Sequence, residues 1–461
     1  MVALQRIFVK AYWTLAGIGI AWAVCVGLLV VPVVQRHALY AHKFQTSFWH
    51  NVSNPEEFGF AKGQVQPFLL ETADHEKLFC WHVIPLDVYL ENENELVMAA
   101  GSGEVAEELK GTLGEKLMSR DQESRVVVNF HGNAGHIAQS TRPSTYRSLT
   151  SIPKTHLLTC SYRGFGTSTL NNAPHLPTEP GLITDAISLL SYLHTTLHHP
   201  PPRTVLLGQS LGTAVTAAAA LYFADPTSQF LPPSLPPPSA LQLHYQEQEK
   251  EEEHETNPPN NNYASIILIS PFRSLPFLLK TYKISGIIPI LKPLAGYPRI
   301  AKLVEARILD TWDTAARLGA LVKFATATFT ATATATSTST STSTSNTNSD
   351  SDHHLRLTLI HARNDQDITF RESEALYTPL QSEILAWEGA SATEERRSIH
   401  GGERVKRGAF AYRKVEVERE GGSGGSGGSV RVELEVVRYG GHNEVAGWNA
   451  VGLAVRRAFA R

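Results

Sequence analysis

Cysteine is scarce in this chain: Cys25, Cys80 and Cys160 are the only three among 461 residues. No Cys-x-x-Cys spacing occurs, so neither a zinc site nor a disulfide framework is indicated. Cys25 lies in an apolar run and the other two lie in predicted strands, so all three read as buried structural thiols. An excess of one charge sign is also lacking. Forty-one Lys and Arg against 44 Asp and Glu leave a formal net charge of −3, which gives no reason to expect nucleic acid as a partner. The composition, 42% hydrophobic and 18% charged, is that of a globular chain. The length alone would allow two or three domains, but low-complexity stretches take up much of it and leave one catalytic domain.

Present at the amino terminus is the uncharged run Tyr12–Val34, YWTLAGIGIAWAVCVGLLVVPVV. As a helix it is about long enough to cross ~30 Å of hydrocarbon. Tyr12 and Trp13 suit an interface at one end, and Pro32 marks the exit. The competing reading, a cleaved signal peptide, expects a shorter core followed by a small-x-small site. Residues 1–45 are therefore read as a single-pass anchor with its flanks, the bilayer being the expected partner. Arg6, Lys10 and the α-amine on one side, against Arg36 and Lys43 on the other, lean toward a cytosolic amino terminus. The catalytic domain is then lumenal, in the endoplasmic reticulum or another endomembrane. Asn51-Val52-Ser53 is a glycosylation sequon usable on that side.

Downstream, short apolar strands alternate with helical stretches, which predicts an α/β fold with a mostly parallel sheet. The predicted strands are Val65–Leu70, Leu78–Ile84, Val126–Phe130, Thr155–Cys160, Thr204–Leu207, Ser265–Ile269, Leu355–Ile360 and Val432–Val437. Glu179–Leu193, Leu211–Phe223 and Asn443–Arg461 read as helices. The domain spans 60–461, interrupted at about 232–262 (proline-rich, then acidic), 324–352 (Thr/Ala, then Thr/Ser) and 388–429 (polar, ending in GGSGGSGGS). These compositions bury too little apolar surface to offset ordering entropy, so each is expected to be a surface excursion.

Gly208-Gln209-Ser210-Leu211-Gly212 stands between the strand TVLL and an Ala-rich helix. A sharp strand-to-helix turn there would lift the Ser210 oxygen above the sheet, and the Leu211 N–H could face a developing oxyanion. The strand VVVNF runs into His131-Gly132-Asn133-Ala134-Gly135-His136, a glycine-rich turn suited to the second oxyanion donor. Asn133 is assigned that role, with Ala134 the alternative. His131 is expected to shape the loop through a backbone bond. His131 and His136 lack a third ligand at recognisable spacing, so no metal is expected.

The acid belongs on the loop after a late strand. Leu355–Ile360 leads into HARNDQDI, where Asp365 and Asp367 are candidates. Asp365 is preferred, and Asp367 reads as a loop or cap carboxylate. The base follows the last strand, at His442 in GGHNE. Ser210, Asp365 and His442 then stand in the Ser…Asp…His chain order of the α/β-hydrolase fold. Such a triad works through an acyl-enzyme and water, with no cofactor.

HGNAGH, SYRGFGTS, PTEPGLITDA, GQSLG, ISPFRSL, HARNDQDI and GGHNE fall in order from His131 to Glu444. This set resembles the membrane-anchored α/β-hydrolase-domain family that includes lysophosphatidylserine and monoacylglycerol lipases. It is also similar to depalmitoylase-type and bud-emergence-type hydrolases. The resemblance implies a single-span anchor, lipid-ester hydrolysis at a membrane, and the triad on Ser210, Asp365 and His442. Ser161 departs from it, since many relatives carry an acidic residue before Tyr-Arg-Gly. Tyr162 and Arg163 are expected to buttress loops by hydrogen bonding.

An apolar cap is expected at about 272–310, with Phe277, Leu278, Ile287 and Ile288 as substrate contacts. An apolar cap beside an anchor favours lipid over peptide substrates. The leading expectation is a lysophospholipase or monoacylglycerol lipase. A depalmitoylating thioesterase or broad carboxylesterase shares the triad. A catalytically inactive membrane scaffold is the third reading.

Overall fold

The computed structural model describes residues 2–46, 48–246, 262–284, 288–289, 291–338, 354–390, 396–419 and 428–460. The amino-terminal run is not a single helix. α1 (Val2–Leu28) ends in a turn, and α2 (Pro32–Tyr40) starts with Pro32 in its first turn. Proline is tolerated there because that N–H has no helical acceptor. The stretch long and apolar enough to cross a membrane is therefore Gln5–Leu28. It begins earlier than expected, taking in Arg6 and Lys10, and Val33 and Val34 belong to α2 instead. At ~1.5 Å per residue the helix is long enough for ~30 Å of hydrocarbon.

All eight predicted strands form. In chain order they are β1 (Val65–Glu71), β2 (Lys77–Val83), β3 (Arg125–Phe130), β4 (Thr155–Cys160), β5 (Thr204–Gln209) and β6 (Ser265–Ile269). A two-residue pair in the cap, β7 (Lys283–Ile284) and β8 (Ile288–Pro289), precedes β9 (His354–Ala362). Then come β10 (Arg396–Arg407), β11 (Phe410–Arg419) and β12 (Gly428–Val437). The main sheet runs β1-β2-β4-β3-β5-β6-β9-β12-β11-β10. From β4 to β12 neighbours are parallel, and β2 runs antiparallel to β4. This is the α/β-hydrolase order, extended by a hairpin at one edge.

The central strands β3 to β6 are buried along almost their whole length because helices cover both faces. Leu206 packs into one core while Val205 and Leu207 pack into the other. The first core receives the helices Glu179–Ser191 and Leu211–Ala224, and the second receives Arg142–Thr150 and Asn449–Phe459. Each fully buried aliphatic side chain here stabilises the fold by about 1.5–3 kcal/mol relative to exposure.

Three stretches read as inserts are partly structured. The tract assigned to 388–429 contains β10 and β11, which pair antiparallel and continue the sheet from β12. In β11, Val415 and Val417 are buried between charged neighbours, so the alternation outweighs the polar composition. The Thr/Ala tract at 324–352 begins as part of the helix Thr314–Thr338, anchored by buried Leu318, Leu321 and Val322. The region 232–262 holds a helix, Pro238–Gln246, whose Leu241 and Tyr245 enter the main core. Residues 247–261, 339–353, 391–395 and 420–427 lie outside the described residues.

Cys80 and Cys160 are not free thiols. They stand directly opposite each other across β2 and β4 and form a disulfide. Eighty positions separate them in the chain, so only the strand register brings them together. Cys25 is a free thiol, exposed on α1.

Candidate active site

β5 ends at Gln209, and the helix Leu211–Ala224 starts two residues later. Ser210, between them, takes φ +53° and ψ −120°, a backbone region that side chains other than glycine rarely adopt. The turn is held because Ser210 N–H donates to the Ile269 carbonyl at 2.9 Å and Thr213 N–H donates to the Ser210 carbonyl at 2.9 Å. Both flanking glycines are required. A methyl group at Gly208 would overlap the Gly212 carbonyl, and one at Gly212 would overlap the Phe130 carbonyl.

The loop after β12 brings His442 over this turn. Gly440 and Gly441, at φ +116° and +53°, let it fold inward, and Gly441 N–H donates to Asn364 Oδ1 at 3.0 Å. His442 Nε2 lies 2.9 Å from Ser210 Oγ, and its Nδ1 lies 2.8 Å from Asp365 Oδ2. Asp365 Oδ1 accepts the N–H groups of Asp367 and Ile368 at 3.0 and 2.9 Å. Burial alone would push the Asp365 carboxyl up, but hydrogen bonds from His361 and His442 hold it well below the usual carboxylate range. His361 is a support that sequence reading did not identify. Its Nε2 reaches the Ile368 carbonyl at 2.8 Å and Asp365 Oδ2 at 3.3 Å, while Nδ1 meets Ser373 Oγ at 2.7 Å.

Asp367 does not reach the imidazole as Asp365 does. It lines the cavity in front of Ser210, and burial pushes its carboxyl up. Ligand atoms of Asp365, Asp367 and His442 lie within 4.8 Å of one another. Both ring nitrogens of His442 already meet Ser210 and Asp365, an arrangement suited to proton transfer rather than to holding a cation.

Leu211 and Asn133 both line the same cavity. Ala134, the alternative donor, has its N–H bonded to the Tyr40 carbonyl at 3.0 Å. The Gly132 carbonyl accepts from His131 Nδ1 at 2.6 Å and from Arg142 Nη2 at 3.0 Å. In a trans peptide the N–H opposes the C=O, so Asn133 N–H is turned away from those donors. Arg142 also holds the carbonyls of Asn133 and His136 at 2.9 and 2.6 Å. It is a loop clamp with no motif to announce it. His131 touches the loop backbone, as its expected role requires, and Tyr162 Oη donates to the His131 carbonyl at 3.0 Å.

The cavity measures about 440 Å³, within the range of small-molecule sites. Of the four expected cap contacts, Leu278 lines it. Phe277 does not: it is 48% exposed, with Arg273 and Lys280 over its ring at 4.6 and 5.1 Å. The helix Leu275–Thr281 turns Leu275, Leu278 and Leu279 inward, a spacing of three and four that excludes position 277. Ile287 lies outside the described residues, and of Ile288 only its place in β8 is described.

No family model matches the chain. It is 40% identical over 95 residues to human Protein ABHD12B, covering 21% of this chain and 24% of that protein. It is 28% identical over 188 residues to Protein bem46 of Schizosaccharomyces pombe, covering 40% of this chain and 48% of that one. The matched stretches thus span about a quarter and about half of these relatives. Among solved structures, an alpha-beta hydrolase from Vibrio vulnificus aligns over 77% of this chain and 83% of its own at 13% identity, with a TM-score of 0.41. The Pyrococcus furiosus esterase Pf2001 aligns over 71% and 79% at 12% identity, with a TM-score of 0.34. By its strand order and its strained strand-to-helix turn the chain has the α/β-hydrolase fold, and over part of its length it is similar to these two sequence relatives.

Proposed function

We propose that this chain is a membrane-anchored serine hydrolase that cleaves acyl esters of single-chain lipids, such as a lysophospholipid or a monoacylglycerol. The observation that carries the reading is the Ser210–His442–Asp365 hydrogen-bonded chain at the base of a largely apolar cavity. His442 Nε2 takes the Ser210 proton as Oγ attacks the ester carbonyl. The Leu211 and Asn133 N–H groups hold the oxyanion. The intermediate collapses to an acyl-serine, and the departing alcohol takes the proton from His442. Water then attacks the acyl-serine, giving its proton to His442, and the fatty acid leaves as Ser210 is restored. Asp365 orients the imidazole and stabilises its charged form.

The same cavity would admit an acyl thioester, so substrate class decides between lipase and depalmitoylase. Membranes carrying the full-length chain would be labelled with a fluorophosphonate and assayed on monoacylglycerol, lysophosphatidylserine and an acyl thioester. Labelling with lipid-ester turnover is expected. Labelling with thioester turnover alone would transfer the reading to a depalmitoylase. A folded protein that takes no label would be a scaffold.

The anchor reading draws on α1 itself. Large apolar side chains such as Ile7, Trp13 and Leu15 stand exposed along it, and a face of that kind needs lipid or a partner. Its last turns pack on the cap through Val26, which suits a retained helix better than a cleaved one. A lumenal catalytic domain fits the Cys80–Cys160 disulfide, since such bonds persist in oxidising compartments. Asn51 of the sequon is exposed. An endoglycosidase-sensitive mass shift, absent in Asn51→Gln, is expected; protease access to the catalytic domain in intact microsomes would reverse the orientation.

A further inference from the structure

The cavity above Ser210 is bounded by more than the catalytic domain and its cap. Val26 in the last turn of α1 and Leu29 in the turn after it are part of its lining, beside Leu279, Leu291 and Val304 of the cap. Val26, Leu291 and Leu294 form one buried apolar cluster, with Trp22, Leu279 and Val304 packed against it. The membrane-exit end of α1 is therefore a wall of the substrate site.

That wall is fixed in place. Gln35 Nε2 donates to the Leu29 carbonyl at 3.0 Å and to the Arg307 carbonyl at 3.2 Å, while Leu309 N–H donates to Gln35 Oε1 at 2.9 Å. One buried amide thus ties the exit turn to the segment that closes the cap. Arg36 Nε and Tyr40 Oη both donate to Asp310 Oδ2, at 3.2 and 3.0 Å. Tyr40 is fully buried, and its carbonyl takes the Ala134 N–H of the oxyanion loop. Buried hydrogen bonds of this kind define a single arrangement, so the anchor is joined rigidly to the site. The remainder of Gln5–Leu28 is almost wholly uncovered by protein. On the cap side of the cavity, Val26 and Leu29 of the exit turn continue an apolar wall with Leu275, Leu278, Leu279, Leu291 and Val304. The cap adds to this face: Ile300 and Leu303, 49% and 61% exposed, stand on the helix whose Ala301 and Val304 pack toward α1.

We propose that the exit turn of α1 is a specificity-determining part of the active site: Val26 and Leu29, with Leu279, Leu291 and Val304, seat the acyl chain of a long single-chain lipid ester taken from the adjoining leaflet. This rests on the serine-hydrolase reading above. A seat made by apolar walls discriminates by chain length, because each methylene that fits or fails to fit changes kcat/KM by about 10–200-fold.

The test uses the full-length protein in detergent micelles, with p-nitrophenyl butyrate and palmitate as probes and fluorophosphonate labelling as the check on the nucleophile. Val26→Trp and Leu29→Trp fill the seat. Each is expected to lower the palmitate-to-butyrate ratio of kcat/KM by at least about tenfold. Ile18→Trp, on the lipid-exposed part of α1, is expected to leave that ratio at the wild-type value. An unchanged ratio in both filling variants, with labelling intact, overturns the acyl seat and leaves the hydrolase reading standing. A wild-type protein that neither labels nor turns over either probe overturns both. Should the tryptophan variants fail to fold, Val26→Ala and Leu29→Ala enlarge the seat instead. They are expected to move the preferred chain length upward, and an unmoved optimum overturns the proposal.

Discussion

Ser210→Ala is expected to abolish fluorophosphonate labelling and lower kcat by about 10⁴-fold or more, and Asp365→Asn to lower kcat by about 10⁴-fold. Asp367→Asn is expected to change kcat by less than about tenfold. The three outcomes follow from position. Ser210 Oγ is the one nucleophile within 2.9 Å of His442 Nε2 among the described residues. Asp365 fixes the proton on His442 Nδ1, so that Nε2 is free to accept from Ser210. An amide at 365 can present its NH₂ to Nδ1 instead, which reverses the tautomer while leaving the shape intact. Asp367, by contrast, meets the triad through its backbone N–H on Asp365 Oδ1, a contact the substitution retains. Single-turnover and steady-state kinetics on one ester would measure all three. Equal losses at 365 and 367 would require a shared role for the two carboxyls. Acid unfolding gives an independent reading. Because the folded Asp365 carboxyl is held low, its stabilisation is fully present above the ordinary unfolded value of ~3.9 and is lost as pH falls through the folded value. Asp365→Asn has no such contribution to lose, so its stability should approach that of the wild type as the pH is lowered below ~3.9.

The geometry of the candidate site was largely legible because each triad candidate sits just past the end of a strand that was itself legible. β5 delivers Ser210, β9 delivers Asp365 and β12 delivers His442. A short apolar run marks β5, which is covered on both faces, while apolar residues at alternate positions mark β9 and β12. The strands of the added hairpin are marked less clearly. β11 reads FAYRKVEVER, and its alternation about Val415 and Val417 is outweighed by charge. The clamps were illegible for a different reason. Arg142 and Gln35 act on backbone carbonyls, and any long polar side chain in a loop or juxtamembrane flank looks the same until the carbonyls are placed. The Cys80–Cys160 bond depends on the register of β2 against β4, which local pattern does not specify. Helical spacing, which turns Leu275, Leu278 and Leu279 into the cavity, leaves Phe277 outside it.

Asp185→Ala is expected to destabilise the domain by about 3–5 kcal/mol, the usual result of stripping one partner from a buried ion pair. Arg163 and Asp185 are both almost fully enclosed, at 6% and 2% side-chain exposure. The pair is multiply bonded: Arg163 Nε reaches Asp185 Oδ1 at 2.8 Å, Nη2 reaches it at 2.7 Å, and Arg163 N–H meets Oδ2 at 2.8 Å. Burial opposes the charge on Arg163, but Asp185 and Asp74 together raise its affinity for the proton. Removal of Asp185 would therefore leave a guanidinium that cannot neutralise itself. Asp74 would remain at 2.6 Å, but it is 40% exposed and screened by water, so Asp74→Ala should have the smaller effect, about 1 kcal/mol. Thermal unfolding would separate them, since each kcal/mol moves the midpoint of a domain of this size by roughly 2–4 °C. Equal midpoints for the two variants would mean that the pair is not buried as described. The consequence for function runs through one residue. Tyr162 precedes Arg163, and its hydroxyl holds the His131 carbonyl at the start of the loop that carries Asn133. When the Arg163 side chain loses its place, Tyr162 loses its support. Asp185→Ala should therefore lose kcat on warming before its bulk unfolding transition, whereas Asp74→Ala should lose activity and structure together.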